Sequence, residues 1–136
     1  MMKYLFTFFF IPLFLLSSTS QKETFVGKWI GEDQNEIGYL IFDNEGYAAF
    51  EINGQVMGGK KFIMKGEKGK MTYTVNYNTT PIEIDLKVTK IESGESQNIL
   101  AIAEFTDKDT MNFNLSFDNV RPTEFDKNSI TLKRVK

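Results

Sequence analysis

The chain contains no cysteine and no histidine among its 136 residues. Without them there is no thiol nucleophile, no imidazole base, no disulfide and no zinc site of the Cys/His kind. The commonest transition-metal ligands are missing as well, leaving only oxygen ligands for hard cations, so neither a metal nor a cofactor is expected. Arginine is scarce, with Arg121 and Arg134 the only two. A glycine-rich phosphate loop, a nucleophile elbow and a metal signature are also missing, so no catalytic residue is assigned and the chain reads as a non-enzyme. Its formal charge is −2, from 16 Lys+Arg against 18 Asp+Glu. That balance argues against nucleic acid as a partner, because phosphate binding needs a clustered positive surface.

What is present begins with a targeting segment. Met1-Met2-Lys3 is a basic start, Tyr4 to Leu16 is apolar apart from Thr7 and Pro12, and Ser17-Ser18-Thr19-Ser20 supplies small side chains. This order predicts a secretory signal peptide cut before Gln21. The apolar run is shorter than the roughly 20 residues that a spanning helix needs, and no cysteine stands at the cut for lipid attachment. Residues 1–20 are therefore expected to leave, and 21–136 to form one secreted or periplasmic domain with no membrane span. The mature chain then has 116 residues and a net charge of −3, because Lys3 is lost. An exported domain of this size without disulfides depends on core packing for its stability.

Period-two alternation dominates the mature chain. Met71, Tyr73, Val75 and Tyr77 alternate with Thr72, Thr74 and Asn76. Ile82, Ile84, Leu86 and Val88 alternate with Glu83, Asp85 and Lys87, and Met111, Phe113, Leu115 and Phe117 with Asn112, Asn114 and Ser116. Each run places apolar side chains on one strand face and polar ones on the other. Asn98 to Phe105 is apolar on both faces apart from Asn98 and Glu104, so its orientation is ambiguous. No segment carries a helical period.

Turn signals separate the runs. Asp43-Asn44-Glu45-Gly46 and Asn53-Gly54 tolerate the positive φ of tight hairpins. The segments 65–70, 92–96 and 106–109 are polar connectors. Strands are expected over 25–32, 37–42, 47–52, 56–64, 70–77, 82–89, 98–105, 110–117 and 129–135. Short strands with hairpin-length links close most economically into an all-β, antiparallel up-and-down barrel of about eight strands; a β-sandwich is the alternative. Such a barrel either holds one small ligand or fills its interior with side chains, and this short chain implies a small cavity.

Four motifs in order carry a family resemblance. They are Gly27-Lys28-Trp29, then Pro81-Ile82-Glu83-Ile84-Asp85-Leu86 with Asp107-Lys108-Asp109-Thr110-Met111, then Arg121-Pro122-Thr123-Glu124-Phe125, and finally Leu132-Lys133-Arg134. The pattern resembles an uncharacterised lipocalin-like family first noticed as paralogues in planctomycetes, and the likeness runs through 25–136. It implies a lipocalin-like barrel and brings no known activity. It also implies that Arg134, directed inward at one barrel end, lies across the Trp29 ring. Gly27, between Phe25 and Trp29 on one face, leaves room for a neighbour to cross closely. Arg134 is then either a closing residue paired with Trp29 or a ligand anchor, and closure of one barrel end is what the fold requires.

Arg121 has a similar double reading. Its position before a proline fixes an extended geometry, so it either anchors a loop through a carboxylate such as Glu124 or Asp118 or grips an anionic ligand head. Asp107-Lys108-Asp109 offers two carboxylates where calcium needs six to eight oxygens, and reads as a solvated hairpin tip. Lys60, Lys61, Lys65, Lys68 and Lys70 against Glu67 form a local positive cluster in an acidic protein.

Two function classes follow. In the first, the barrel binds a small apolar or amphipathic molecule at its mouth, with Tyr73, Tyr77, Met111, Phe113, Phe117 and Arg121 as the expected ligand-binding residues and Trp29 with Arg134 closing the barrel. In the second, the domain is an envelope protein-interaction or inhibitor module acting through its loops and the Lys60–Lys70 hairpin.

Overall fold

A computed structural model describes residues 25–33 and 36–136; the expected signal peptide, 1–20, lies outside the described residues. Ten strands follow one another: β1 (Gly27–Asp33), β2 (Glu36–Phe42), β3 (Ala48–Ile52), β4 (Gln55–Gly58), β5 (Phe62–Met64), β6 (Glu67–Asn76), β7 (Ile82–Lys90), β8 (Ser96–Asp107), β9 (Thr110–Ser116) and β10 (Ile130–Arg134). Each pairs antiparallel with the next, except that β4 and β5 do not pair, and β10 returns to pair with β1. The result is an up-and-down barrel, nearly closed, with one open seam between β4 and β5. Among the described residues there is no helix.

The seam accounts for the extra strand. The apolar run 56–64, expected as a single strand, breaks at Gly58 and Gly59, whose φ values are +127° and +80°. A Cβ on Gly58 would lie 2.5 Å from the Ala48 carbonyl oxygen, so only glycine lets β4 end against β3. The chain crosses the seam at this level instead of pairing along it. Gly59 N–H donates to the Ala48 carbonyl (2.8 Å), Met71 N–H to that of Gly59 (2.9 Å) and Tyr73 N–H to that of Gly46 (2.9 Å). One end of the seam is thus laced by backbone bonds. The connector expected over 65–70 also shrinks to a turn at Lys65-Gly66, both at positive φ, and Glu67 already lies in β6.

The laced end holds the densest packing. Phe25, Trp29 and Phe42 are buried there, with Phe25 centred 4.9 Å from Phe105 and 5.8 Å from Phe42. Tyr73 lies edge-on to Phe42 at 4.7 Å and its hydroxyl donates to the Asp43 carbonyl at 2.7 Å. Burial first, then the charge of Asp43, holds the Tyr73 phenol above its ordinary pKa. A folded-state pKa raised above the unfolded value means that the neutral phenol stabilises the fold below about pH 10, a contribution lost as pH rises through the folded pKa. Tyr73→Phe is expected to cost about 1 kcal/mol at neutral pH and to lessen the alkaline loss. Urea unfolding at pH 7 and at about pH 11 checks both parts.

A second layer covers part of the outside. Ile102 and Asn114 are register partners directed away from the interior, yet both are buried. The segment 117–129 lies over them, with the Asn114 side-chain amide donating to the Glu124 carbonyl at 3.0 Å. This resolves the two-faced apolar character of 98–105: Ile99, Ala101 and Ala103 face the core, while Ile102 packs beneath a loop.

Candidate functional site

Alternation sorts the inward side chains into tiers, and the two ends of the barrel differ. At the packed end, Arg134 lies with its guanidinium carbon 4.3 Å from the Trp29 ring centroid. Its Nε bonds Asp109 at 3.0 Å, and its terminal nitrogens donate to the carbonyls of Val26 (2.9 Å) and Lys108 (3.1 Å). A Cβ on Gly27 would meet that guanidinium at 3.0 Å, so the glycine makes room for the crossing arginine. The Trp29 indole N–H donates to the Phe25 carbonyl at 3.0 Å. Asp109, read from the sequence as part of a solvated tip, is instead the counter-charge of this closure. No signal in the sequence paired it with Arg134, because β9 and β10 are joined through a long loop.

The opposite half is hollow. A cavity of about 600 Å3 lies inside the barrel, with Leu40, Met71, Phe113 and Leu132 toward the packed end and Ile52, Met57 and Phe117 at the open one. Those last three are 47%, 47% and 64% exposed, which marks them as the mouth. Three flexible methionines, Met57, Met64 and Met71, line one side beside the seam. The polar residues of the lining are Tyr39, Gln97 and Asn128, and no charged side chain belongs to it among the described residues. Tyr39 turns its ring to the Lys28 ammonium 4.3 Å away.

The cavity is larger than the chain length suggested, and a pair of glycines explains much of the difference. Gly31 and Gly38 face one another in register across β1 and β2, and both line the space. Two side chains that would otherwise fill this tier are missing. The unpaired upper part of the seam widens it further.

The residues expected to bind ligand divide between the two halves and the outer surface. Phe113 and Phe117 line the cavity. Tyr73, Tyr77 and Met111 do not: Tyr73 packs on Phe42, Tyr77 on Phe25 at 5.8 Å, and Met111 is fully buried. Tyr73 and Tyr77 lie further along β6 toward the packed end than the lining residue Met71, and Met111, the register partner of Leu132, precedes the lining residue Phe113 on β9. Lining residues that the sequence did not single out, such as Met57, Met64 and Ile99, come from runs whose facing depended on where the chain turns.

Arg121 lies outside the barrel on β7 and β8. Its guanidinium donates to the carbonyls of Ala101 (3.0 Å) and Ile84 (3.3 Å) and to the Asp85 carboxylate (2.5 Å), with Glu83 3.8 Å away. The expected partners Glu124 and Asp118 are replaced by these; Asp118 instead takes the Ser116 hydroxyl. Arg121 therefore pins 117–129 to the wall. Arg121→Ala is expected to cost about 1–2 kcal/mol through the two carbonyl bonds, while the half-exposed Asp85 pair adds less than about 1 kcal/mol. Hydrogen exchange should quicken over 117–129 with ligand affinity in the cavity unchanged; a loss of affinity with unchanged exchange would assign Arg121 to the ligand.

Two charged groups of the 60–70 segment have partners outside it. Lys60 pairs with Glu45 at 2.9 Å, and Glu67 pairs with Lys90 at 3.3 Å. Among the described residues no group of acidic side chains is arranged to hold a metal ion.

Fold and cavity together define an open-ended antiparallel β-barrel with an apolar interior site. Scans of the chain against protein-family models, curated proteins and solved structures each return no match.

Proposed function

We propose that this protein binds a small apolar or amphipathic molecule inside the barrel, outside the cytoplasm, after loss of residues 1–20. The observation that carries the reading is the cavity itself. Its volume of about 600 Å3 lies within the roughly 300–1,000 Å3 common to small-molecule sites, and its lining is apolar with a few uncharged polar groups. Each methylene moved from water into such a space contributes about 0.8 kcal/mol, so a tail of modest length supplies useful affinity with no ionic contact.

Binding without catalysis fits the chemistry on offer. Among the described residues no carboxylate or amine side chain belongs to the lining, and the Tyr39 ring, alternating with the inward Gly38 and Leu40, lies against Lys28 on the outer face. The resemblance to lipocalin-like barrels is in keeping with this reading, which rests on the cavity rather than on that likeness. An envelope-partner role through Lys60–Lys70 has less behind it, because Lys60 is already paired with Glu45.

Native mass spectrometry of protein purified gently from the organism that makes it tests the reading. We expect the mature chain, beginning at Gln21, with a noncovalent organic adduct that solvent extraction releases. A bare chain that also fails to bind neutral lipophilic dyes would count against it.

A further inference from the structure

Three charged side chains stand one tier above the cavity lining, at its mouth. Lys90 follows the lining residue Val88 by two positions on β7, and Glu95 precedes the lining residue Gln97 by two. Glu67 is the register partner of Met64, which also lines the cavity. The Lys90 ammonium lies 3.3 Å from the Glu67 carboxylate and 3.8 Å from that of Glu95. One ammonium between two carboxylates leaves a net negative charge. The Glu67 hydrogen bond, then the charges of both glutamates, raise the Lys90 pKa, so Lys90 keeps its charge across the physiological range.

We propose that Lys90, Glu67 and Glu95 act as a headgroup filter, so that the cavity takes a molecule with an apolar body and an uncharged polar end and disfavours one ending in a carboxylate. The proposal rests on the reading of the cavity as a ligand site. A ligand anion entering here finds Lys90 already held by two carboxylates and meets their charge at close range. An uncharged hydroxyl, amide or ester pays no such penalty, and the lining residues Gln97 and Asn128 are amides that donate and accept hydrogen bonds. Removing both acidic partners leaves Lys90 as an unneutralised cation beside the mouth and turns the filter toward anions.

The test is displacement of the neutral dye N-phenyl-1-naphthylamine from the full mature chain by 1-decanol and by decanoate, which share a tail length. It is run at about pH 8, where decanoate is ionised, on wild type and on the Glu67→Gln, Glu95→Gln double variant. Because an ionised head lowers affinity for any apolar site, the readout is how the decanoate-to-decanol ratio of half-displacing concentrations changes between the two proteins. We expect the double variant to bind the dye as wild type does and to lower that ratio by about fivefold or more, an effect that shrinks in high salt. An unchanged ratio with unchanged dye affinity overturns the filter and leaves the cavity reading standing. Failure of wild type to bind the dye or either compound overturns both.

Discussion

Trp29→Ala is expected to remove about 3–5 kcal/mol of stability, a large share of the total available to a domain of this size. Trp29 is fully buried on β1 at the packed end, and it touches three parts of the closure. Its ring carries Arg134 at 4.3 Å and lies 6.0 Å from Phe105, and its indole N–H bonds the Phe25 carbonyl where the chain enters the barrel. Alanine loses the area, leaves a void among residues that β-sheet pairing prevents from collapsing, and strips Arg134 of its stacking partner. With no disulfide to limit the unfolded chain, nothing offsets that loss. Denaturant unfolding followed by circular dichroism measures it. A double-mutant cycle with Arg134→Met separates the stacking contribution, expected at about 0.5–2 kcal/mol. A Trp29→Ala change costing less than about 1 kcal/mol would show that the barrel does not depend on this closure.

Gly38→Leu should abolish ligand binding while leaving the fold in place. Gly38 is on β2 with its missing side chain directed into the cavity opposite Gly31. A Cβ there would meet Ile52 Cγ1 at 3.6 Å, an ordinary contact, and its φ is not in the left-handed region. Leucine therefore fits the backbone and spends its volume in the hollow half. Added apolar volume in an unfilled site avoids the strain that overpacking imposes on a dense core. We expect affinity for a neutral lipophilic dye to fall more than tenfold with no loss of unfolding temperature. The contrast with Gly31 is instructive, since a Cβ there would lie 2.8 Å from Leu132 Cδ2 and would displace a core side chain.

The two variants together show what the sequence made legible. Alternation over 82–88 and 110–117 fixed which faces turn inward, and the spacing of hairpin turns gave an antiparallel meander. Trp29 and Arg134 were legible as a pair through the resemblance to lipocalin-like barrels, and Gly27 between Phe25 and Trp29 marked the close crossing. The facing of 98–105 was not legible, because Ile102 is buried by a loop on the outside and thus mimics a core position. The break at Gly58-Gly59 was hidden as well, since an apolar run looks the same whether it continues along a sheet or steps across a seam.

The hollow half was the least legible part. Alternation says that Met71, Tyr73, Leu115 and Phe117 share the interior, but not at which level each lies. Tier is set by register, which depends on the bulge between Phe105 and Asp107 and on the long connection from Ser116 to Ile130. That is why Tyr73 and Met111, grouped with Phe117 by alternation and side-chain type, lie toward the packed end. The vacancy itself comes from side chains that are not there, at Gly31 and Gly38, which a search for ligand-binding residue types passes over.

The central claim is that the upper half of the barrel is a ligand site rather than a packing fault. Titration of wild type and Gly38→Leu side by side with N-phenyl-1-naphthylamine, each checked by thermal unfolding, tests it most directly. Saturable one-to-one binding by wild type, lost in a Gly38→Leu protein of equal or higher unfolding temperature, is the predicted result. Equal dye binding by both proteins, or none by wild type, would contradict it.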